Sequence, residues 1–282
     1  MMHPTTRKLL VASSFLLAAA PLASAQGETG FLRGTGRTDV VLGYTLDYYD
    51  EFWVGTEKVS DPGVGEIERS SYSLYLAHGI DENTDVFLSA AYVEAESDGA
   101  ANFEDESDLQ DAVAGAKVRF WRRRMGSGEF SLLALPSVKF PITNYEHNDV
   151  TAIGDEQVDL RARAVAHYQH DSGVYLAVET GYDFRFEDVE DEVPLNVTLG
   201  ATVFERLTVS PFYSQVWSDG GPDIGEPGFA FNDVQEEYER AGVSAYLRLT
   251  EQLGATFLWR TTIDGRNTGE ADAFGFGLVG RF

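Results

Sequence analysis

The stretch from Phe274 to Phe282, FGFGLVGRF, decides how the rest of the chain is interpreted. Alternate positions are apolar or aromatic, and the positions between them are mostly small, which is the period-2 pattern of a β-strand with two different faces. The chain ends within this strand on an aromatic ring. Because an unpaired final strand would leave an open edge, the pattern predicts that it pairs with the first strand and closes a barrel.

The same alternation runs along most of the chain and predicts strands throughout, without a convincing amphipathic helix. Twelve strands are expected near residues 38–49, 69–79, 85–94, 110–121, 129–140, 158–168, 174–186, 194–203, 207–217, 238–249, 254–263 and 272–282. Their connections alternate strictly between long and short. An up-and-down order therefore places every long loop on one side and every short turn on the other.

This sorting of loops is typical of bacterial outer-membrane barrels, which have even strand numbers, short periplasmic turns and longer outer loops. A soluble β-sandwich has no reason to sort its loops in this way. The predicted fold class is therefore all-β. Residues 37–282 are expected to form a 12-stranded antiparallel up-and-down transmembrane β-barrel in the outer membrane of a Gram-negative bacterium.

The two faces of the expected strands differ in charge. One face carries residues such as Leu42, Leu88 and Phe257 and is nearly free of charge, whereas the other holds more charge than a packed core accepts without cost. Aromatic residues gather at both ends of the strands, as in the interfacial girdles of membrane barrels. We expect the apolar face to meet lipid; on the last strand its members are Phe274, Phe276, Leu278 and Phe282.

The first 25 residues have the pattern of a cleaved secretory signal peptide: basic Arg7 and Lys8, an apolar stretch and a small-residue site at 23–25. Residues 26–36 are predicted to form a short periplasmic segment before the barrel. The formal charge of −25 disfavours non-specific nucleic-acid binding, and the absence of cysteine excludes disulfides and cysteine-ligated metals.

Three segments carry a family resemblance: YSLYLAHGIDENTDVFLSAAYV at 72–93, SDLQDAVAGAKVRFW at 107–121 and LLALPSVKFPITN at 132–144. Their order resembles the MetA-pathway phenol-degradation proteins, which are relatives of the FadL-type channels for hydrophobic compounds. Two details depart from that pattern, since Ala91 stands where proline is usual and the glycine before the aspartate is missing.

The resemblance implies an outer-membrane transporter. The terminal phenylalanine likewise resembles the C-terminal signature that the barrel-assembly machinery reads. FadL-type channels also have a long N-terminal plug, but only about a dozen residues would precede the first strand here. An internal plug of that kind is therefore not expected.

The inward-facing charged residues are the candidate solute path. They are Lys117, Arg119, Lys139, Arg161, Arg163, Glu179, Asp183, Arg185, Arg240, Arg248, Arg260 and Arg281. Counting back from the turn QHDSG predicts that Arg163 lies opposite Glu179 and that Arg161 lies diagonal to Glu179 and Asp183; Lys139 is expected to approach Asp159. Opposite charges on neighbouring strands are expected to pair.

Two interpretations of these charges stay open. Ion pairs across the lumen can simply fill and stiffen the barrel. Alternatively, a basic track draws an anionic solute inward; its members would be Arg119, Arg248, Arg260 and Arg281, which have no obvious acidic partner in sequence.

Pro136 and Pro211 lie inside predicted strands. Proline donates no ladder hydrogen bond, and a closed barrel has no free edge to accommodate it, so each is predicted to mark a β-bulge. The functional alternative is a lateral opening in the wall that passes a hydrophobic solute into the membrane.

The function expected from these patterns is passive uptake of a small hydrophobic or amphipathic solute. A channel for anionic solutes such as acidic sugars and a structural barrel without transport are the alternatives. Expected partners are outer-membrane lipid, lipopolysaccharide, the barrel-assembly machinery and the solute. No cofactor or metal is expected, because the acidic loops lack the spacing of a calcium loop. An enzyme is not expected either, since no nucleophile elbow is present.

Overall fold

The computed structural model describes residues 27–60, 64–99, 104–186 and 189–282, so the predicted signal peptide lies outside the described residues. Within these ranges the chain forms strands and no helix long and apolar enough to cross a membrane. The strands are β1 (Thr38–Tyr49), β2 (Glu51–Val54), β3 (Glu57–Ser60), β4 (Ile67–Gly79), β5 (Thr84–Ser97), β6 (Glu106–Leu109), β7 (Ala112–Met125), β8 (Gly128–Phe140), β9 (Asp159–His170), β10 (Val174–Arg185), β11 (Glu192–Val203), β12 (Leu207–Ser218), β13 (Glu237–Arg248), β14 (Leu253–Arg266) and β15 (Asp272–Arg281).

Twelve of these strands form one closed antiparallel barrel, in which each strand pairs with its neighbours in sequence and β1 pairs with both β4 and β15. The predicted number of strands is confirmed, and the predicted ends lie within four residues of the observed ones. The short strands β2, β3 and β6 were not predicted. β2 and β3 form a hairpin in the first long loop, and β6 pairs with β5 above the barrel wall.

The last strand closes the barrel as the sequence predicts. Leu42 pairs with Leu278 and Tyr44 with Phe276, and Thr38 exchanges two backbone hydrogen bonds of 2.9 Å with Phe282. Because β15 also pairs with β14, neither side of the final strand is an open edge.

The two faces alternate along each strand in the predicted sense. Leu42 and Leu278 are 58% and 63% exposed on the outer surface, whereas their neighbours Val41 and Val279 are fully buried inside. Phe276 points outward with Leu278, while Gly275, Gly277 and Val279 point inward. The outer surface is therefore a continuous apolar band and the inner surface holds the charges.

The register of the β9–β10 hairpin differs from the prediction. The hairpin is centred on Ser172, and Gly173 closes it with a φ of +89° while its N–H donates to the His170 carbonyl at 3.0 Å. This centre lies one residue later than predicted, which moves every cross-strand pair by two residues. Arg161 therefore lies directly opposite Asp183, and Arg163 lies opposite Gly181.

The predicted bulges at the two prolines are wrong. Around Pro136 the β7–β8 register is the same on both sides, as it is around Pro211 between β11 and β12, so no residue is inserted at either place. Instead, two residue pairs are missing from the ladder beside each proline, because proline has no N–H to donate. On the other side, β8 pairs with β9 and β12 pairs with β13 without interruption. The lateral opening stays a prediction.

The register shifts of the described barrel lie elsewhere. One is in β7 between Arg119 and Trp121, and the other is between β13 and β14 beside Glu239 and Arg240. The first shift lets β7 continue to Met125, so Arg122, Arg123 and Arg124 extend the exposed end of the strand and do not form the turn itself.

Candidate functional site

The half of the lumen next to the short turns is filled by side chains. The ring of Phe31 packs edge-on against His167, with centroids 4.6 Å apart, and against Tyr175 at 5.1 Å. Beside it lies a buried cluster of inward residues from several strands: Val41, Tyr75, Ala77, Phe212, Tyr246, Leu258 and Val279. This half of the barrel is therefore a packed core.

Residues 27–33 run inside the barrel and form a plug. Lys117 Nζ donates to Glu28 Oε2 at 2.5 Å and to the Thr29 carbonyl at 3.0 Å, and Arg119 donates to the Gly30 carbonyl at 3.1 Å. A Cβ on Gly30 would lie 2.4 Å from the side chain of His167, so the close approach requires glycine.

Arg33 fixes the other end of the plug to the wall. Its side chain is buried and forms ion pairs with Asp39 at 3.0 Å and with Asp85 at 3.4 Å. The Arg33 backbone N–H also donates to the Asp85 carboxylate at 3.0 Å. Burying the guanidinium is tolerated because the carboxylates of Asp39 and Asp85 pair with it.

The prediction that residues 26–36 form a periplasmic segment before the barrel is thus wrong for 27–33, which form a short internal plug rather than the long plug of FadL-type channels. A short segment suffices because seven extended residues reach about 23 Å and the plug fills only the half of the lumen next to the short turns. Inward cations such as Lys117 and Arg119 need polar partners, and the carbonyl groups of an extended segment supply them.

Above the plug, the lumen holds a cavity of about 660 Å³ on the side of the long loops. Its lining combines charged groups with apolar and aromatic side chains; the latter include Tyr49, Phe52, Val93, Ile153, Val216, Tyr238 and Leu258. A lining of this mixed kind accommodates a solute with both a polar and an apolar part.

The loop from 141 to 158, here called the infolded loop, narrows the cavity. Ile153 is fully buried and Tyr145 nearly so, and both pack on Val93 and Ala95 of β5. Arg69 donates to the Ala152 carbonyl of this loop at 2.7 Å. Apolar packing and a charge-assisted hydrogen bond therefore hold the loop in the mouth of the barrel.

One wall of the cavity, formed by β8 to β11, is a network of ion pairs. Lys139 Nζ lies 3.1 Å from Asp159, as predicted, and Arg163 lies 3.2 Å from Glu179 and also binds Asp183. The remaining ion pairs of this wall are Lys139 with Asp111 and Asp155, Arg161 with Asp159 and Asp183, and Arg185 with Asp155, Asp159 and Glu192.

The predicted basic track does not form as a row of free cations. Arg260 makes an ion pair with Asp47, and Arg281 lies 3.7 Å from Asp39, so the expectation that these two lack acidic partners is wrong. Arg119 binds the plug. Arg248 is exposed at the short-turn rim, where it donates to the Glu205 carbonyl at 2.8 Å.

The opposite wall, formed by β13, β14, β1 and β4, carries three arginines. Arg240, Arg260 and Arg69 all line the cavity together with Asp47. Asp47 and Arg69 were not among the predicted site residues. Strand alternation does place Asp47 on the inner face with Val41 and Thr45, so the signal was present. Arg69 is the first residue of a predicted strand, where the direction of a side chain is least certain.

Asp111, in the loop before β7, is a buried carboxylate with an altered pKa. Burial raises the pKa of Asp111 to about 6, against the opposing effects of a 2.6 Å hydrogen bond from Tyr145 and of Lys139. For Asp155 of the infolded loop, burial would raise the pKa, but Lys139 and Arg185 outweigh that effect and lower it. The two carboxylates therefore respond to acid in opposite ways.

The family model described as "Putative MetA-pathway of phenol degradation" matches residues 68–278. The chain belongs to this family. The sequence-based resemblance is thus confirmed, and it covers most of the barrel, although the plug lies before the matched region. A search of curated proteins gave no match.

Solved structures share the fold of this family member at low sequence identity. The COG4313 outer membrane channel from Pseudomonas putida F1 superposes with a TM-score of 0.75 at 15% identity, covering 91% of this chain and 98% of that chain. The translocator domain of the autotransporter NalP from Neisseria meningitidis gives a TM-score of 0.53 at 13% identity, covering 94% and 93%. These likenesses support the barrel architecture.

Removing residues 27–33 is expected to raise the ion conductance of the protein in planar bilayers, because Lys117 and Arg119 then border a water-filled passage. Lys117→Met should raise it less, since Arg33 still holds one end of the plug. Arg124→Met is the matched control: it removes one exposed cation, which pairs with Asp171 at the rim. Conductance of the deletion variant equal to that of the wild type would contradict the assignment of residues 27–33 as the plug.

Asp111→Asn is expected to stabilise the protein at pH 8 and to lose that advantage in acid. Because the folded-state pKa of about 6 exceeds the ordinary value of 3.8, the wild type gains stability by binding a proton as the pH falls from 6 towards 4. The pH-dependent change should be about 1 to 3 kcal/mol, measured by denaturant unfolding in detergent at pH 4 and pH 8.

Asp155→Asn is the matched control with the opposite sign. Its carboxylate has a lowered pKa, so the substitution should cost stability at pH 8 and nearly the same amount at pH 4, because that stabilisation is lost only as the pH falls below the ordinary value of 3.8. An Asp111→Asn difference that grows in acid would refute the assignment of a raised pKa to Asp111.

Proposed function

We propose that the protein is an outer-membrane channel for passive uptake of a small amphipathic solute, which enters the cavity from the long-loop side. The observation that carries the proposal is the cavity of about 660 Å³ above the plug, lined by both charged and apolar side chains. Ligand sites in proteins commonly combine an apolar lining with a few polar groups in this way.

The outer surface supports the membrane location. An uncharged band that includes Leu42, Phe276 and Leu278 surrounds a closed ladder, which pairs backbone groups within the wall except beside Pro136 and Pro211. In this location the protein would contact membrane lipid and lipopolysaccharide and would be inserted by the barrel-assembly machinery. The P. putida protein that shares the fold is described as an outer membrane channel, which agrees with the proposal.

A barrel without flux is the second candidate, because the plug fills the half of the lumen next to the short turns. Four hydrogen bonds from Lys117 and Arg119 and the ion pairs of Arg33 hold the segment in place. Transport therefore requires that a solute displace the plug or pass beside it.

Liposome swelling distinguishes these candidates. We expect arbutin, a hydroxyphenyl glucoside with a largely apolar aromatic ring, to enter vesicles containing the protein faster than methyl glucoside, although methyl glucoside is smaller. The physical reason is that the apolar lining of the cavity favours the ring. Protein-free vesicles give the background rate. Faster entry of methyl glucoside would indicate a pore that selects by size alone, and background rates for both solutes would indicate a barrel without flux.

A further inference from the structure

Three arginines lie side by side around one part of the cavity and are here called the arginine arc: Arg240 on β13, Arg260 on β14 and Arg69 on β4. β13 and β14 are neighbours in the sheet, and β15 and β1 separate β14 from β4. In register, Asp47 on β1 lies directly opposite Arg69. The three arginines therefore lie on the wall that runs from β13 to β4 and line the same cavity.

The carboxylates of this region are engaged with other groups. Asp47 makes its ion pair with Arg260 and none with Arg69. Glu236 accepts a hydrogen bond from Thr268 Oγ1 at 3.0 Å. Asp149, at the cavity lip on the infolded loop, accepts from the Val150 N–H at 2.6 Å. Within the described residues, Arg69 and Arg240 consequently form no ion pair.

The guanidinium of Arg240 is held in a fixed orientation by its neighbours. Its Cζ lies 3.6 Å from the centroid of the Tyr238 ring, and its one hydrogen bond to a described residue runs from Nε to Thr262 Oγ1 at 3.3 Å. Stacking fixes the plane of a guanidinium while leaving its terminal N–H groups free, which suits a planar acceptor such as a carboxylate.

Arg69 has donor capacity to spare as well. Its Nη2 binds the Ala152 carbonyl, but its Nε is buried and has no partner among the described residues. A buried donor without an acceptor is costly and rare, so such a group calls for an explanation. The Tyr49 hydroxyl, which also lines the cavity, interacts electrostatically with both Arg69 and Arg240.

The ion-paired wall across the cavity differs in that carboxylates already contact its cations, although Nε of Arg161 and of Arg185 also lacks a hydrogen-bond partner among the described residues. Lys139, Arg161, Arg163 and Arg185 each contact at least one carboxylate. An anion there would have to displace a carboxylate from its cation and would be repelled by the neighbouring carboxylates. Near the arginine arc, by contrast, the lining includes the aromatic rings of Tyr49, Phe52 and Tyr238.

We propose that Arg69 and Arg240 form a carboxylate subsite that binds the head group of a small carboxylate with an apolar body. This assignment rests on the proposed function, because it names the class of amphipathic solute that the cavity takes up. Bidentate contacts from Arg240 would hold the carboxylate, Arg69 would add a second cation, and the aromatic lining would contact the apolar body.

Isothermal titration calorimetry of the full protein in detergent at pH 8 tests the subsite with two probes of similar shape, benzoate and uncharged benzyl alcohol. Arg240→Gln and Arg69→Gln should each weaken benzoate binding about tenfold, which is the usual size of a lost charged hydrogen bond, and leave benzyl alcohol unchanged. Arg240→Lys should recover part of the benzoate affinity, because it keeps the charge but not the planar fork.

Arg248→Gln is the matched control, since it removes the same charge from the same strand at the exposed rim and should change benzoate affinity less than twofold. Equal affinity for benzoate and benzyl alcohol would overturn the proposal, as would benzoate affinity insensitive to both cavity variants or equally sensitive to Arg248→Gln. The two proposals can also be separated. If benzoate binding in detergent depends on Arg69 and Arg240 but vesicles containing the protein admit no arbutin, the subsite is supported and the uptake function is refuted.

Discussion

The hydrogen-bond ladder that joins β1 to β15 is the constraint on which the other features depend. Thr38 and Phe282 exchange backbone bonds at one end, and the pairing continues through Leu42 and Leu278. With the ring closed, backbone polar groups are satisfied within the wall and side chains divide strictly into outer and inner sets. The outer set is left free to be apolar, and the charged residues are confined to the lumen, where they must find partners.

The charged lumen explains both the plug and the cavity. Close to the short turns, Lys117, Arg119 and Arg33 are satisfied by carbonyl groups and carboxylates, which brings the N-terminal segment inside. Close to the long loops, one wall satisfies itself through dense ion pairs. The arginine arc differs from both regions because its cations outnumber the carboxylates that pair with them. The presence of arginines without an ion-pair partner, rather than shape alone, therefore distinguishes this part of the cavity as a binding region.

Strand number, loop sorting and the facing of residues such as Leu42 and Arg281 could be predicted from the sequence, because each follows from period-2 alternation, which is local. Register could not: Gly173 shifts the β9–β10 hairpin by one residue through its left-handed conformation, and no pattern of polarity reports that shift. The plug could not be predicted either, since its contacts join Glu28 and Arg33 to residues far along the chain. Asp47 has the inward parity of its strand, but only the folded arrangement assigns it to Arg260.

The central claim is that outward side chains meet hydrocarbon and inward side chains do not. The chain contains no cysteine, so single cysteines along β1 can carry spin labels without a background. Collision rates with dissolved oxygen and with a water-soluble nickel complex should be measured for the protein in lipid vesicles. Labels at Val40, Leu42 and Leu46 should be relaxed by oxygen and shielded from nickel, whereas Val41 and Thr45 should lack this oxygen preference. An oxygen preference at Val41 and Thr45 equal to that at Val40, Leu42 and Leu46 would contradict the account.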